Sequence, residues 1–216
     1  MSTSASAPAV VTDSSGGWRA VIRSWGFAIL QLATRKRIGL TLVIFAALIT
    51  CDVMLWKTQP CDLFDWTSGT TVLGELLLAG GLLLRTWAAG TLRKRADLVT
   101  SGPYLFVRNP LYIGSFLMML GFSVLLRDWL AVWIVLGPVL AMYLNKIRQE
   151  EKWLANHHPD TWPAYTRATP KFIPLVDRWP SFSGFSFRQW ASNHEYQALL
   201  ASAAGLIVLW LWGRSA

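Results

Sequence analysis

Two short stretches of this chain carry residue types that can bind or transform a polar molecule: RNPLYIG at residues 108–114 and NKIRQEEKW at residues 145–153. In the first, Asn109 is placed to cap a helix begun by Pro110, since a cap side chain accepts an orphan N–H and proline has none to lose. The free N–H groups and positive dipole end of such a start suit a carboxylate or phosphate. Arg108 adds a planar, forked donor for the same groups. A plainer reading stands beside this one: a cap, an Arg108 contact to lipid phosphate, and an aromatic belt of Tyr104, Phe106 and Tyr112.

In the second stretch, Glu150 and Glu151 are adjacent acids about 100° apart around a helix. Arg148 and Lys152 can pair with them as ordinary surface ions. Alternatively, the acids hold a cation or hydrogen-bond the hydroxyls of a sugar. Together the two stretches describe a ligand with a carboxylate, hydroxyls and an onium centre that aromatic faces such as Tyr104 and Tyr112 stabilise. S-adenosylmethionine has that profile. Metal chemistry is not expected, because His157 and His158 are adjacent and lack a cysteine or carboxylate at ligand spacing. Cys51 and Cys61 flank a short loop and would pair only in an oxidising compartment.

The elements that position these residues are apolar. The 216 residues are 53% hydrophobic and only 15% charged, against about 25% charged in soluble proteins, and the 13 tryptophans suit membrane interfaces. The net charge of +8 comes without a basic run on a polar surface, so it points to membrane orientation and not to nucleic acid. Five stretches approach the roughly 20 apolar residues of a spanning helix: 38–55, 69–89, 111–126, 129–145 and 197–213. Of the 20 Lys and Arg, all but Lys57, Arg127 and Arg214 fall on one side of that topology, which predicts a cytoplasmic N-terminus and active site and a C-terminus opposite.

The expected fold is therefore all-α: a polytopic membrane protein with about five transmembrane helices, an N-terminal interfacial amphipathic helix and a cytoplasmic-side cofactor pocket. Residues 1–17 read as a disordered tail without a signal peptide, 18–37 as the interfacial helix, and 38–95 as the first two spans. Residues 96–176 read as a core with a tight helical hairpin joined at Arg127–Asp128, and 177–216 as an interfacial segment with the last span. Gly80–Gly81 should allow close helix contact, and Gly137–Pro138 should kink the fourth span. The prolines after Trp153 predict a loop. Glu75 is an isolated acid within the second span, where a structural role is favoured over a functional one.

With these elements in place, LVTSGPYLFVRNPLYIG at residues 98–114, then RQEEKWL, then Tyr165 and Pro170, resemble the isoprenylcysteine carboxyl methyltransferase and phospholipid methyltransferase group of membrane enzymes. The combination of both motifs in order is specific, and it covers roughly a third of the chain. The resemblance implies an S-adenosylmethionine pocket, with S-adenosylhomocysteine as product, closed over by the loop after the double glutamate. Asp97, Leu98, Val99 and Tyr104 would form one wall; Arg108, Asn109, Pro110 and Tyr112 would line the hairpin start; Glu150 would contact the cofactor. Lys146 takes the position of a basic residue that handles the acceptor in the prenylcysteine enzymes.

Three departures matter. The family has His where this chain has Asn109, the prenylcysteine enzymes have His in place of Asp97, and Lys146 replaces an arginine and its bidentate fork. The implied reaction is methyl transfer to a lipid or prenylated acceptor entering from the bilayer, either an isoprenylcysteine-type carboxylate or a lipid headgroup. Lys146, Arg148 or Arg108 would orient a carboxylate acceptor, whereas Glu151 or Asp97 would serve as base for an amine. Two rivals remain: an NADPH-dependent sterol-type reductase, with Arg93, Lys94 and Arg95 on the extra phosphate, and a non-catalytic membrane scaffold. Oligomeric state is not readable.

Overall fold

The computed structural model describes residues 37–51, 58–93, 98–174 and 184–215. The expectations for the N-terminal tail, the interfacial helix and Asp97 lie outside the described residues. Among the described residues every regular element is helical. In order these are α1 (Arg37–Cys51), α2 (Gly69–Thr91), a single-turn helix (Gly102–Leu105), α3 (Pro110–Leu125), α4 (Trp129–His157), α5 (Trp162–Ala168), α6 (Phe187–Ser192) and α7 (Tyr196–Ser215). Three of them, α2, α4 and α7, are long and apolar enough to cross a membrane, whose core of about 30 Å takes about 20 helical residues. The apolar α3 has 16 residues and is shorter than these three, and α1 is described over 15 residues.

Small residues decide how α2 and α3 meet. A Cβ added to Gly81 would lie 2.6 Å from the Gly114 carbonyl oxygen, and one added to Gly121 would lie 2.8 Å from that of Gly74. The glycines of each helix are about two turns apart, so both pairs fall on one face of an antiparallel crossing and the backbones touch. Gly80 has no neighbour within 4 Å of its would-be Cβ; of the expected Gly80–Gly81 pair, only Gly81 serves the contact.

A tight turn joins α3 to α4. Arg127 takes a left-handed φ of 56°, and the Asp128 carboxylate accepts from the Ala131 N–H at 3.0 Å, capping α4. Where a kink was expected, α4 widens into a π turn over Val135–Val139 that contains Pro138. Proline has no N–H for the regular ladder, and one wider turn absorbs the defect without ending the helix. Tyr143 of α4 then packs edge-on against Tyr112 and Phe116 of α3, with ring centroids 5.7 and 5.3 Å away.

The prolines after Trp153 do not make a continuous loop. Helix α4 runs on to His157, and α5 forms over Trp162–Ala168 with Pro163 in its first turn, where a missing N–H costs nothing. Nor do the cysteines pair: both are free. Cys61 is buried against the α3–α4 turn, its N–H donating to the Leu125 carbonyl at 2.8 Å.

Residues 184–195 buckle onto the end of α2, whose last carbonyls have no partner within the helix. The Asn193 amide donates to the Ala89 and Leu92 carbonyls at 2.7 and 2.9 Å, and the Ser186 N–H donates to Gly90 at 2.9 Å. Glu195, only 4% exposed, holds Arg85 by two bonds of 2.7 and 2.9 Å. The remaining arm of Arg85 reaches Ser115 Oγ at 2.5 Å. Arg85 can cross to it because Gly114 has no Cβ: one there would sit 2.6 Å from Arg85 Cγ. The last glycine of RNPLYIG thus clears a path for an ion pair that ties α2, α3 and the foot of α7.

Candidate functional site

A cavity of about 350 Å³ opens where α3 begins and α4 ends, within the size range of small-molecule sites. The single-turn helix shapes one wall. Gly102 has φ +58° and packs on Thr91, where a would-be Cβ would meet Oγ1 at 2.9 Å. Both the backbone angle and the space require glycine. Pro103 follows in the first turn, and Tyr104 is carried into the protein.

The structure brings together Leu98, Val99, Tyr104, Arg108, Asn109, Pro110, Tyr112, Glu150 and Glu151 around this cavity. Two candidates stand apart from the lining: Lys146 pairs with Glu150 at 3.4 Å one turn along α4, and Arg148 is exposed. The ion pairs thus differ from those anticipated with Arg148 and Lys152. Sequence reasoning left out Trp153, Leu154, His158 and Trp162, which line the wall with Tyr165, and Arg93, the cation set aside for a dinucleotide phosphate, lines it too. For Trp153 and Leu154 the signal was the continuation of the α4 pattern past the membrane stretch, masked by the prolines that follow; His158 and Trp162 lie beyond α4.

Asn109 stands at the cap position of α3, yet its side chain makes no capping bond. The amide donates to Glu151 Oε1 at 3.3 Å and to the Lys171 carbonyl at 3.4 Å. A nearby carboxylate is the stronger partner, so the residue joins elements instead of closing a helix. Glu151 is the hub of that junction. Lys171 Nζ lies 2.6 Å from it and Arg108 Nε 3.7 Å from it. The backbone completes the strap: the Arg108 N–H donates to Pro170 at 2.9 Å, and the Tyr165 hydroxyl donates to the Tyr104 carbonyl at 2.9 Å.

Two polar atoms of the wall are buried with no hydrogen-bond partner: Arg108 Nε and the Tyr104 hydroxyl. Leaving such an atom unsatisfied costs about 1–3 kcal/mol, which the Glu151 carboxylate, 3.7 Å from Arg108 Nε, offsets in part. Burial pushes both tyrosine hydroxyls well above the ordinary range; for Tyr104 the neighbouring Tyr165 and Glu150 add to the effect. Both therefore remain neutral donors. Arg108 also lies 5.9 Å over the Trp162 ring. The cavity lining thus combines cations, a helix start, two carboxylates and aromatic faces.

Fold and site together define an all-helical integral membrane protein with a small-molecule cavity at one end of its helices. Residues 70–161 match the phospholipid methyltransferase family. The chain is 35% identical over 153 residues to the cobalt-zinc-cadmium resistance protein CzcN of Cupriavidus metallidurans, covering 69% of this chain and 68% of that protein. It is 30% identical over 160 residues to the nickel-cobalt-cadmium resistance protein NccN of Alcaligenes xylosoxydans xylosoxydans, covering 70% and 71%. It is also 32% identical over 79 residues to the protein-S-isoprenylcysteine O-methyltransferase of Schizosaccharomyces pombe, covering 37% and 34%. No solved structure matches. The chain belongs to the isoprenylcysteine carboxyl methyltransferase and phospholipid methyltransferase family of integral membrane methyltransferases.

Proposed function

We propose that the chain transfers the methyl group of S-adenosylmethionine to a lipid-embedded acceptor that reaches the cavity from the bilayer. The observation that carries this reading is the joint presence in one cavity of Arg108 beside the α3 start, Glu150, and the aromatic faces of Tyr104, Tyr112 and Trp162. The residues fit the cofactor. Arg108 and the α3 N–H groups suit its carboxylate, Glu150 suits its ribose hydroxyls, and the faces of Tyr112 and Trp162 suit a sulfonium. When bound, the cofactor supplies a methyl group activated for in-line displacement.

The protein's part is positioning and exclusion of water, because charge disperses as the methyl moves. A carboxylate acceptor of the isoprenylcysteine type needs only orientation, for which Lys146, one turn from Glu150, is the favoured group. Arg108 and Arg93 are the cations that line the cavity itself, and Arg148 is exposed outside it. An amine headgroup is the second reading, and it requires a base. Glu151 is already held by Lys171 and Asn109, which favours the carboxylate. The Lys/Arg asymmetry supports a cytoplasmic active site with the C-terminus opposite.

Calorimetry with purified protein tests the cofactor: adenosylhomocysteine should bind, and Glu150→Gln should weaken it about tenfold, the loss of one charge-assisted bond. Stabilisation by NADPH and not by adenosylhomocysteine would instead favour a reductase, and stabilisation by neither a scaffold. Methyl-labelled cofactor incubated with native membranes, followed by separation of lipid from protein products, identifies the acceptor.

A further inference from the structure

A second cavity, of about 630 Å³, runs between α2 and α7 under the loop that precedes α2. Its walls are apolar, from Leu78 and Leu82 on α2 to Leu199 and Leu206 on α7, with Trp66 and Trp210 towards one end. Two polar groups interrupt them. Glu75 lies six residues into α2, about 9 Å along its axis, and has no ion-pair or hydrogen-bond partner among the described residues. Ser202 is 3% exposed, and its hydroxyl is buried without a partner. Of the described cations at this end, Arg214 is engaged over the Trp210 ring at 4.4 Å and Arg127 acts on Asp65; neither lines the groove.

We propose that this groove is a second binding site, for the protonated amine of an amphiphile whose apolar body lies along α2 and α7. A carboxylate at membrane depth calls for a partner, and the Ser202 hydroxyl on the facing helix of the same groove adds an acceptor. A metal ion is poorly served, since it takes six or more oxygens and no group of three ligating side chains exists among the described residues. The path from Glu75 to Leu82 gives about 10 Å of apolar wall, enough for a medium alkyl chain. This reading does not depend on methyl transfer.

The test is photolabelling of the full-length protein in phosphatidylcholine nanodiscs with a diazirine-bearing dodecylamine, mapped by mass spectrometry. Labels should concentrate in residues 63–82 and 199–210. They should fall about tenfold in Glu75→Gln and about threefold in Ser202→Ala, as expected for losing a charged and a neutral hydrogen bond. The matched neutral alcohol should label wild type and Glu75→Gln alike. Leu206→Trp, which fills the groove and spares the carboxylate, should also remove the amine label. Unchanged helical circular dichroism and thermal unfolding in nanodiscs show that these variants are folded, whether or not the first cavity binds adenosylhomocysteine. Competition by phosphatidylethanolamine would assign the amine to a lipid headgroup; competition by decylamine alone would assign it to a free amphiphile. Equal labelling of wild type and Glu75→Gln overturns the proposal. So does labelling no denser than at exposed Trp133 of α4, or exclusion of the probe because residues 38–55 or a second copy cover the groove.

Discussion

Lys171 Nζ lies 2.6 Å from the Glu151 carboxylate, and through that contact the segment after α5 is fastened to α4 beside the cavity. The same carboxylate receives the Asn109 amide, so one acid joins the start of α3, the end of α4 and the strap between them. Neither charge is fully exposed, with 28% and 18% of the side chains open, which keeps the pair from being screened like a surface ion pair.

Lys171→Ala should therefore loosen the strap without touching the cavity wall. We expect adenosylhomocysteine to dissociate about tenfold faster, as for the loss of one charge-assisted bond, with its association rate little changed. Stopped-flow binding separates the two rates. Asn109→Ala should act in the same direction, and Asn109→His should restore much of the loss if the imidazole reaches Glu151.

The α2–α3 crossing predicts opposite outcomes at neighbouring glycines. Gly114→Ala puts a methyl 2.7 Å from the Gly81 carbonyl oxygen and against Arg85. Forcing the backbones apart should cost about 1–3 kcal/mol. Gly80→Ala meets nothing within 4 Å and should be neutral or raise stability by up to about 1 kcal/mol through helix propensity. Thermal unfolding in detergent compares the two.

Half-buried Arg85 and buried Glu195 form a pair whose members depend on each other. Removing one partner, as in Glu195→Ala, should destabilise the fold by about 3–5 kcal/mol. The double replacement Arg85→Met with Glu195→Leu should recover most of that, because no charge is left buried alone. A double-mutant cycle on thermal stability measures the coupling.

The buried tyrosines give the fold an alkaline limit. Burial raises the hydroxyls of Tyr104 and Tyr165 above their ordinary value, so the folded state keeps protons that the unfolded chain releases. Stability is then full below about pH 10, the unfolded value, and falls as pH rises above it. Tyr165→Phe should flatten that fall and lower stability near neutrality by about 1 kcal/mol through the lost bond to the Tyr104 carbonyl. Absorbance titration beside thermal unfolding at several pH values checks both.

Sequence alone determined the class of protein, because hydropathy and hydrophobic length read out whether a helix can lie in lipid, and neither depends on neighbours. It also selected most residues of the first cavity, since RNPLYIG and RQEEKWL state their chemistry locally: a helix start with a forked cation, and paired acids. What partners those residues take was decided only by the tertiary structure. Asn109 has the local pattern of a cap, but Glu151, 42 positions away, competes for its amide. Glu150 and Glu151 look equivalent in sequence, but the strap engages Glu151 through Lys171, while Glu150 keeps its local partner Lys146 one turn away on α4. The Arg85–Glu195 pair, 110 positions apart, has no local signature at all. Long-range pairing depends on which backbones can touch, and here that rests on glycines whose spacing gains meaning only when two helices are laid against each other.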